Sequence, residues 1–124
     1  MPNAFNFDAS PFDSLSKGEQ QLVRDNVDIA YFRKDDVILD VGAEPKHLYV
    51  VIKGHVAQME GDEVLYMYGP DDNFDSRGLM AGKSSHRFIA QEEVLAYELA
   101  QDTVLSLIAD NATFSALLFS SLGD

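Results

Sequence analysis

Leu48-Tyr49-Val50-Val51-Ile52-Lys53-Gly54-His55-Val56 holds two short runs of β-branched and aromatic residues parted by a glycine. Runs this short cannot build the apolar stripe of a helix, whereas Val, Ile and Tyr suit a pleated, half-buried surface. The passage reads as a strand, a turn at Gly54 and the start of a second strand. The same texture repeats outward on both sides. From Val27 to Leu99, short apolar runs are cut by Gly, Asp, Asn and Pro about every eight to twelve residues, the spacing of a sandwich or barrel. Strands are expected at Ile29–Arg33, Val37–Val41, Leu48–Lys53, His55–Glu60, Glu63–Tyr68, Arg87–Gln91 and Val94–Leu99. Gly61-Asp62 fits a tight hairpin. Gly42, Gly54 and Gly69 mark further turns, where a residue without Cβ can take positive φ.

Helical signals flank this region. Residues 1–12 carry little periodicity and are expected to form an irregular lead-in. Ser16-Lys17-Gly18-Glu19 is a capping box ahead of Leu22 and Val23, which predicts a helix over residues 17–26. After Leu99 the apolar period lengthens. Asp102 is expected to cap a helix holding Val104, Leu105 and Ile108, and Asn111 a second one with Phe114, Leu117, Leu118 and Leu122 on one face. No repeat, linker or low-complexity stretch divides the chain, so residues 1–124 read as one domain.

Composition narrows the function. The chain has no cysteine, which removes disulfides, thiolate metal sites and a cysteine nucleophile. A formal net charge of −12 opposes binding to nucleic acid or an acidic membrane. No apolar run reaches membrane-spanning length, and Met1 to Asp13 lacks a basic segment followed by an apolar one. A soluble, unexported, cytoplasmic protein is expected.

One stretch runs against the acidic background. From Ser76 through Gln91 there is no Asp or Glu, while Arg77, Lys83, His86 and Arg87 fall close together. The segment Ser76-Arg77-Gly78-Leu79-Met80-Ala81-Gly82-Lys83-Ser84-Ser85-His86-Arg87 adds two glycines and three serines. Glycine lets backbone amides approach an anion, and serine supplies hydroxyl donors. A short helix over Arg77–Ala81 would turn its amino end to the same place. This chemistry suits a phosphate; the same composition also suits a solvated polar loop.

Lys34-Asp35-Asp36-Val37-Ile38-Leu39-Asp40-Val41-Gly42-Ala43, then Leu48 through Val56, then Gly69-Pro70-Asp71-Asp72-Asn73-Phe74-Asp75-Ser76, resemble in order and spacing the cyclic-nucleotide-binding domain family. The resemblance runs from about Pro11 to Leu122. It implies a mainly β fold, an antiparallel catabolite-activator-like β-roll (a jelly roll, or double-stranded β-helix) of about eight strands with an N-terminal helix and C-terminal helices. It also implies that the segment after Phe74 is a phosphate-binding cassette. In the family that cassette is a Gly-Glu pair whose Glu holds the ribose, a short helix, and an Arg that grips the cyclic phosphate. Here Asp75-Ser76 replaces Gly-Glu, and either Arg87 or Ser84 takes the arginine position. The ligand-binding residues implied are Phe74, Ser76, Arg77, Gly78, Leu79, Ser84, Ser85 and Arg87. The ligand would be a cyclic nucleotide, cAMP or cGMP, or another phosphate-bearing small molecule.

The wording of the motif is also similar to the amino-terminal sensor of bacterial signalling proteins that carry CBS domains and a nucleotidyltransferase-like domain. That implies a fragment of a longer multidomain protein, a covalently attached output domain and possible homodimers. The expected function is a regulatory, non-enzymatic ligand-sensing module. A degenerate, non-binding β-roll used for docking or dimerisation is the alternative. A cupin-like metalloenzyme is weaker still, because His47, His55 and His86 lack the close spacing of a metal set. Asp71, Asn73 and Asp75 begin like a calcium loop, but Ser76 stands where its glycine is needed and Gly82 where its Glu should be. Ser84 and Ser85 beside His86 form no nucleophile elbow, and no catalytic set is expected. The aromatic residues of the strands, Tyr31, Phe32, Tyr49, Tyr66, Tyr68, Phe74, Phe88 and Tyr97, are expected to be core or half-buried.

Overall fold

Eight strands and four helices follow one another in the computed structural model, which describes residues 5–120. A 3-10 turn at Phe12–Ser14 leads into α1 (Lys17–Asn26). The strands are β1 (Val27–Phe32), β2 (Val37–Leu39), β3 (His47–Lys53), β4 (Val56–Glu60), β5 (Glu63–Tyr68), β6 (Asn73–Phe74), β7 (Arg87–Ala90) and β8 (Val94–Ala100). Helix α2 (Ser76–Ala81) interrupts them between β6 and β7, and α3 (Gln101–Asp110) and α4 (Ala112–Leu118) follow. The order β1-β8-β3-β6 forms one sheet and β2-β7-β4-β5 the other, with every pairing antiparallel. This is the β-roll with flanking helices that the resemblance implied.

Side-chain alternation divides the core in two. Val51, Val94 and Ala96 face into the roll, where they meet Leu39, Val56, Tyr68, Phe74 and Phe88. Their neighbours Leu48, Val50, Tyr97 and Leu99 face the helices and meet Val23, Val104, Leu107, Phe114 and Leu118. Strands β3 and β8 are therefore buried on both faces, which is why they read as nearly continuous apolar runs. Residues 1–4 of the expected lead-in lie outside the described residues; from Phe5 to the 3-10 turn it is irregular yet packed, with Phe5 and Phe12 buried in the second cluster and their rings 4.8 Å apart.

Ser16 accepts from the Glu19 amide while the Glu19 carboxylate accepts from the Ser16 amide at 2.8 Å, completing the expected capping box. The cap of α4 is also as expected, with the Asn111 side chain accepting from the Phe114 amide at 2.9 Å. Asp102, in contrast, caps nothing. Helix α3 starts at Gln101 with Ala100 as its flanking residue, because β8 runs straight into it, and Asp102 lies inside the first turn. There its charge still favours the helix dipole. Leu122 lies outside the described residues.

At Gly54 φ is +90°, and a Cβ would collide with the backbone carbonyl of Glu93. That turn can hold only glycine without rearrangement. The turn after Gly69 works differently from the expectation: Asp71, not Gly69, takes the positive φ. Two aromatic residues also depart from it, since Tyr31 and Tyr66 are 52% and 40% exposed. Both stand on edge strands, β1 and β5, each of which has a neighbouring strand on one side only.

Candidate functional site

Strand β6 ends at Phe74, and Asp75 turns the chain through a left-handed conformation (φ 59°, ψ 36°) into α2. Asp75 makes no side-chain cap; its carboxylate occupies the space that a Cβ on Gly78 would need. After Ala81, Gly82 adopts φ 81° and its amide donates to the Gly78 carbonyl at 2.9 Å, which stops the helix. Ser84 then anchors the returning chain. Its amide donates to Ala43 O and its carbonyl accepts from the Gly42 amide, both at 2.8 Å.

The result is a cleft of about 200 Å³ between α2 and the sheet. Phe88 and Gln58 line it from the sheet, and Gly78 and Ala81 from the helix. Arg77, Lys83, Ser85, His86 and Asp75 supply its polar lining. Gln58 is buried, and its Oε1 accepts from the Tyr68 hydroxyl at 2.8 Å. His86 Nε2 lies 3.5 Å from the Glu60 carboxylate. Lys83 enters no ion pair among the described residues.

Of the eight expected ligand residues, Arg77, Gly78 and Ser85 line this cleft. Phe74 is 1% exposed and stacks between Tyr49 and Phe88, with ring centroids 5.5 and 5.2 Å away. Leu79 is core. Ser84 is fully buried and donates its hydroxyl to the His86 carbonyl at 2.9 Å. Ser76 is fully buried, its hydroxyl 3.5 Å from the Leu118 carbonyl. Arg87 is on the outer face of β7. Phe88 points into the roll, so strand alternation sends Arg87 outward, where its Nε donates to Asp40 Oδ1 at 3.2 Å. The Asp40 carboxyl is held below its ordinary range, first by the Val41 amide and then by Arg87.

The expected ligand set left out Lys83, His86 and Gln58, whereas Asp75 stood out as a departure from the family's Gly-Glu pair. Lys83 and His86 were visible as cations in the acid-free stretch. Gln58 had a subtler signal: it shares the inward face of β4 with Val56, and a polar residue at an inward position of a strand needs a buried partner. Two contacts had no sequence signal. Arg77 Nη2 donates to the Phe119 carbonyl at 2.7 Å, and Ser76 approaches the Leu118 carbonyl, both across 42 residues. They tie the cassette to the end of α4.

The three histidines each face a carboxylate: His47 and Glu98 at 4.0 Å, His55 and Glu92 at 2.8 Å, and His86 and Glu60 at 3.5 Å. Among the described residues no group of three or more His, Asp and Glu side chains is placed to hold a metal ion. No helix there is long and apolar enough to cross a membrane.

The family model for the cyclic nucleotide-binding domain matches residues 29–111, two thirds of the chain, and the chain belongs to that family. Solved structures agree on the fold. The sensor domain of the transcriptional regulator DNR from Pseudomonas aeruginosa superposes with a TM-score of 0.76 at 16% identity, covering 89% of this chain and 82% of that one. Thermus thermophilus catabolite activator protein gives 0.70 at 22% identity; 85% of this chain covers about half, 52%, of it. A PKAR domain, CBD2, bound to Sp-2Cl-cAMPS gives 0.71 at 17%, with coverages of 79% and 68%. No curated protein sequence matches the chain.

Proposed function

We propose that this chain is the ligand-sensing module of a larger regulatory protein, and that a phosphate-bearing nucleotide sits in the cleft between α2 and the sheet. The observation that carries the proposal is the pairing of that cleft with the Arg77–Phe119 hydrogen bond. Arg77 both lines the cleft and holds the end of α4. A guanidinium has five donors, so a phosphate can compete for it. A ligand that draws Arg77 inward loosens the end of α4, and a domain attached beyond α4 would feel the change.

Among the described residues Lys83 is the cleft cation with no ion-pair partner, and it is assigned the first phosphate contact. Ser85 and the amides around Gly78 complete the cradle. Arg87 takes no part in this arrangement, because reaching the cleft would require it to leave Asp40 and cross its own strand. Asp75 favours the second reading, a roll that binds no nucleotide and serves in docking, since a carboxylate in the cleft opposes a phosphate.

Calorimetry and thermal shift with cAMP, cGMP, AMP and inorganic phosphate separate the two. A ligand present at a hundred times its Kd adds about 2.7 kcal/mol, a rise of several degrees for a domain this size. Lys83→Ala should cost about 1.5–3 kcal/mol of binding, the usual worth of a charge-assisted contact, and Arg87→Ala less than about 0.5 kcal/mol. No shift with any of the four ligands would overturn the nucleotide reading and leave docking as the one to test.

A further inference from the structure

Gln58 is a polar side chain that the packing of the roll does not account for. On β4 it stands in register between Phe88 of β7 and Tyr66 of β5, and it shares the inward face with Val56 of the apolar core. It is 7% exposed, and its Oε1 accepts from the buried Tyr68 hydroxyl at 2.8 Å. That bond uses one end of the amide only. The other end, Nε2, has two hydrogens to donate, and no acceptor meets it among the described residues. Nor is this nitrogen sealed from solvent, so it opens into the cleft that Gln58 lines.

The fold needs no donor at this position. A leucine or methionine would fill the same space without carrying an amide in among aromatic rings, where an unmet donor is costly. The cost is offset when something in the cleft accepts from it.

The two sides of the cleft restrict what that can be. Arg77 comes from α2, and Lys83 and Ser85 from the segment after it; these are the groups that meet a phosphate. Gln58 comes from the sheet and is uncharged, with the Phe88 ring beside it. A neutral N–H donor next to an apolar ring suits a neutral acceptor: a hydroxyl, ether or carbonyl oxygen, or a ring nitrogen. Building on the phosphate-cleft reading above, we propose that Gln58 determines specificity there. Its amide selects phosphate esters that carry such an acceptor over inorganic phosphate.

The test compares cAMP and cGMP with inorganic phosphate, titrated into the whole native chain and into Gln58→Leu. The variant should bind the tighter nucleotide about fivefold more weakly or worse, the usual worth of one hydrogen bond, and should keep its phosphate affinity. Retained phosphate affinity also shows that the cleft is still formed. A second readout needs no variant: the Gln58 side-chain NH2 resonances should move at saturation with the nucleotide and stay in place with phosphate. Several results would overturn the proposal and leave the phosphate-cleft reading standing. They are nucleotides binding no tighter than phosphate, nucleotide affinity unchanged in Gln58→Leu, an equal loss for nucleotide and phosphate, and stationary NH2 resonances while the Lys83 and Ser85 amides move. No saturable binding of any of the three ligands to the native chain is the failure of the cleft reading itself, and the proposal falls with it.

Discussion

Asp75 and Gly78 show how closely two residues can depend on each other. Asp75 enters the left-handed region, which a side chain adopts at a cost, and its carboxylate folds back over the α-carbon of Gly78. The three atoms that a Cβ at position 78 would meet first all belong to that carboxylate. Gly78→Ala should therefore destabilise the domain by about 1–3 kcal/mol, the usual cost of overpacking, although alanine is the better helix former. The discriminating measurement is a double-mutant cycle by urea unfolding. In an Asp75→Gly background the collision disappears, glycine suits the left-handed turn, and Gly78→Ala should become neutral or stabilising by up to about 1 kcal/mol. An equal cost in both backgrounds would mean that something other than the carboxylate fills the space. Both residues were quoted in the sequence reading of the cassette. Their dependence was not legible there, because it arises from one backbone dihedral at Asp75.

Between elements, the junction of α1 with α4 concentrates the most interactions on the fewest side chains. Asn111 caps α4 through its oxygen, and through its nitrogen it donates to the Ser14 carbonyl and to Glu19, both at 3.0 Å. Glu19 in turn belongs to the capping box of α1. Asn111→Ala removes all three bonds and should cost about 1–2 kcal/mol, the upper part of the range for caps, measurable by thermal unfolding at neutral pH. The Glu19 carboxyl is held below its usual range, first by the Ser16 amide and then by Asn111. A depressed folded pKa contributes stability that is fully present above the unfolded value and is lost as pH falls through the folded one. The advantage of the native chain over Glu19→Gln should thus be constant above the ordinary glutamate range and shrink as the pH falls below it. An advantage unchanged over that fall would show that the charge on Glu19 is not what the junction uses. The two caps were readable because Ser16, Glu19 and Asn111 act on amides three residues away. Elements were legible wherever such local rules governed them. Strand β6 was not, since two residues beside a turn carry no period, and the Asp102 cap failed because β8 continues into α3 without a break.

At the scale of the whole molecule, the cleft and the net charge have to be considered together. The acid-free stretch stood out in composition, the resemblance made it a cassette, and Arg77, Gly78 and Ser85 do line a cleft there. Which cations turn inward depends on the parity of β7 and on Ser84 being fixed to Gly42 and Ala43, long-range facts that no local pattern encodes. A phosphate approaching this cleft meets opposing fields at different distances. Far from the surface it experiences a chain of net charge −12; within a few ångströms it experiences Arg77 and Lys83, with the single carboxylate of Asp75 opposing them. At an ionic strength of about 0.01 M the Debye length is about 30 Å, wide enough for the whole molecule to repel the ligand. At about 0.15 M it is about 8 Å, which screens the distant carboxylates and leaves much of the contact attraction. The association rate of an anionic ligand that binds the cleft should therefore rise across this range, by about two- to tenfold, the reverse of ordinary electrostatic steering to a basic site. Stopped-flow measurement with a fluorescent nucleotide at several salt concentrations reads the slope directly. A rate that falls with salt would mean that the local cations outweigh the acidic surface at every distance, and that the charge of the whole chain plays no part in admitting the ligand.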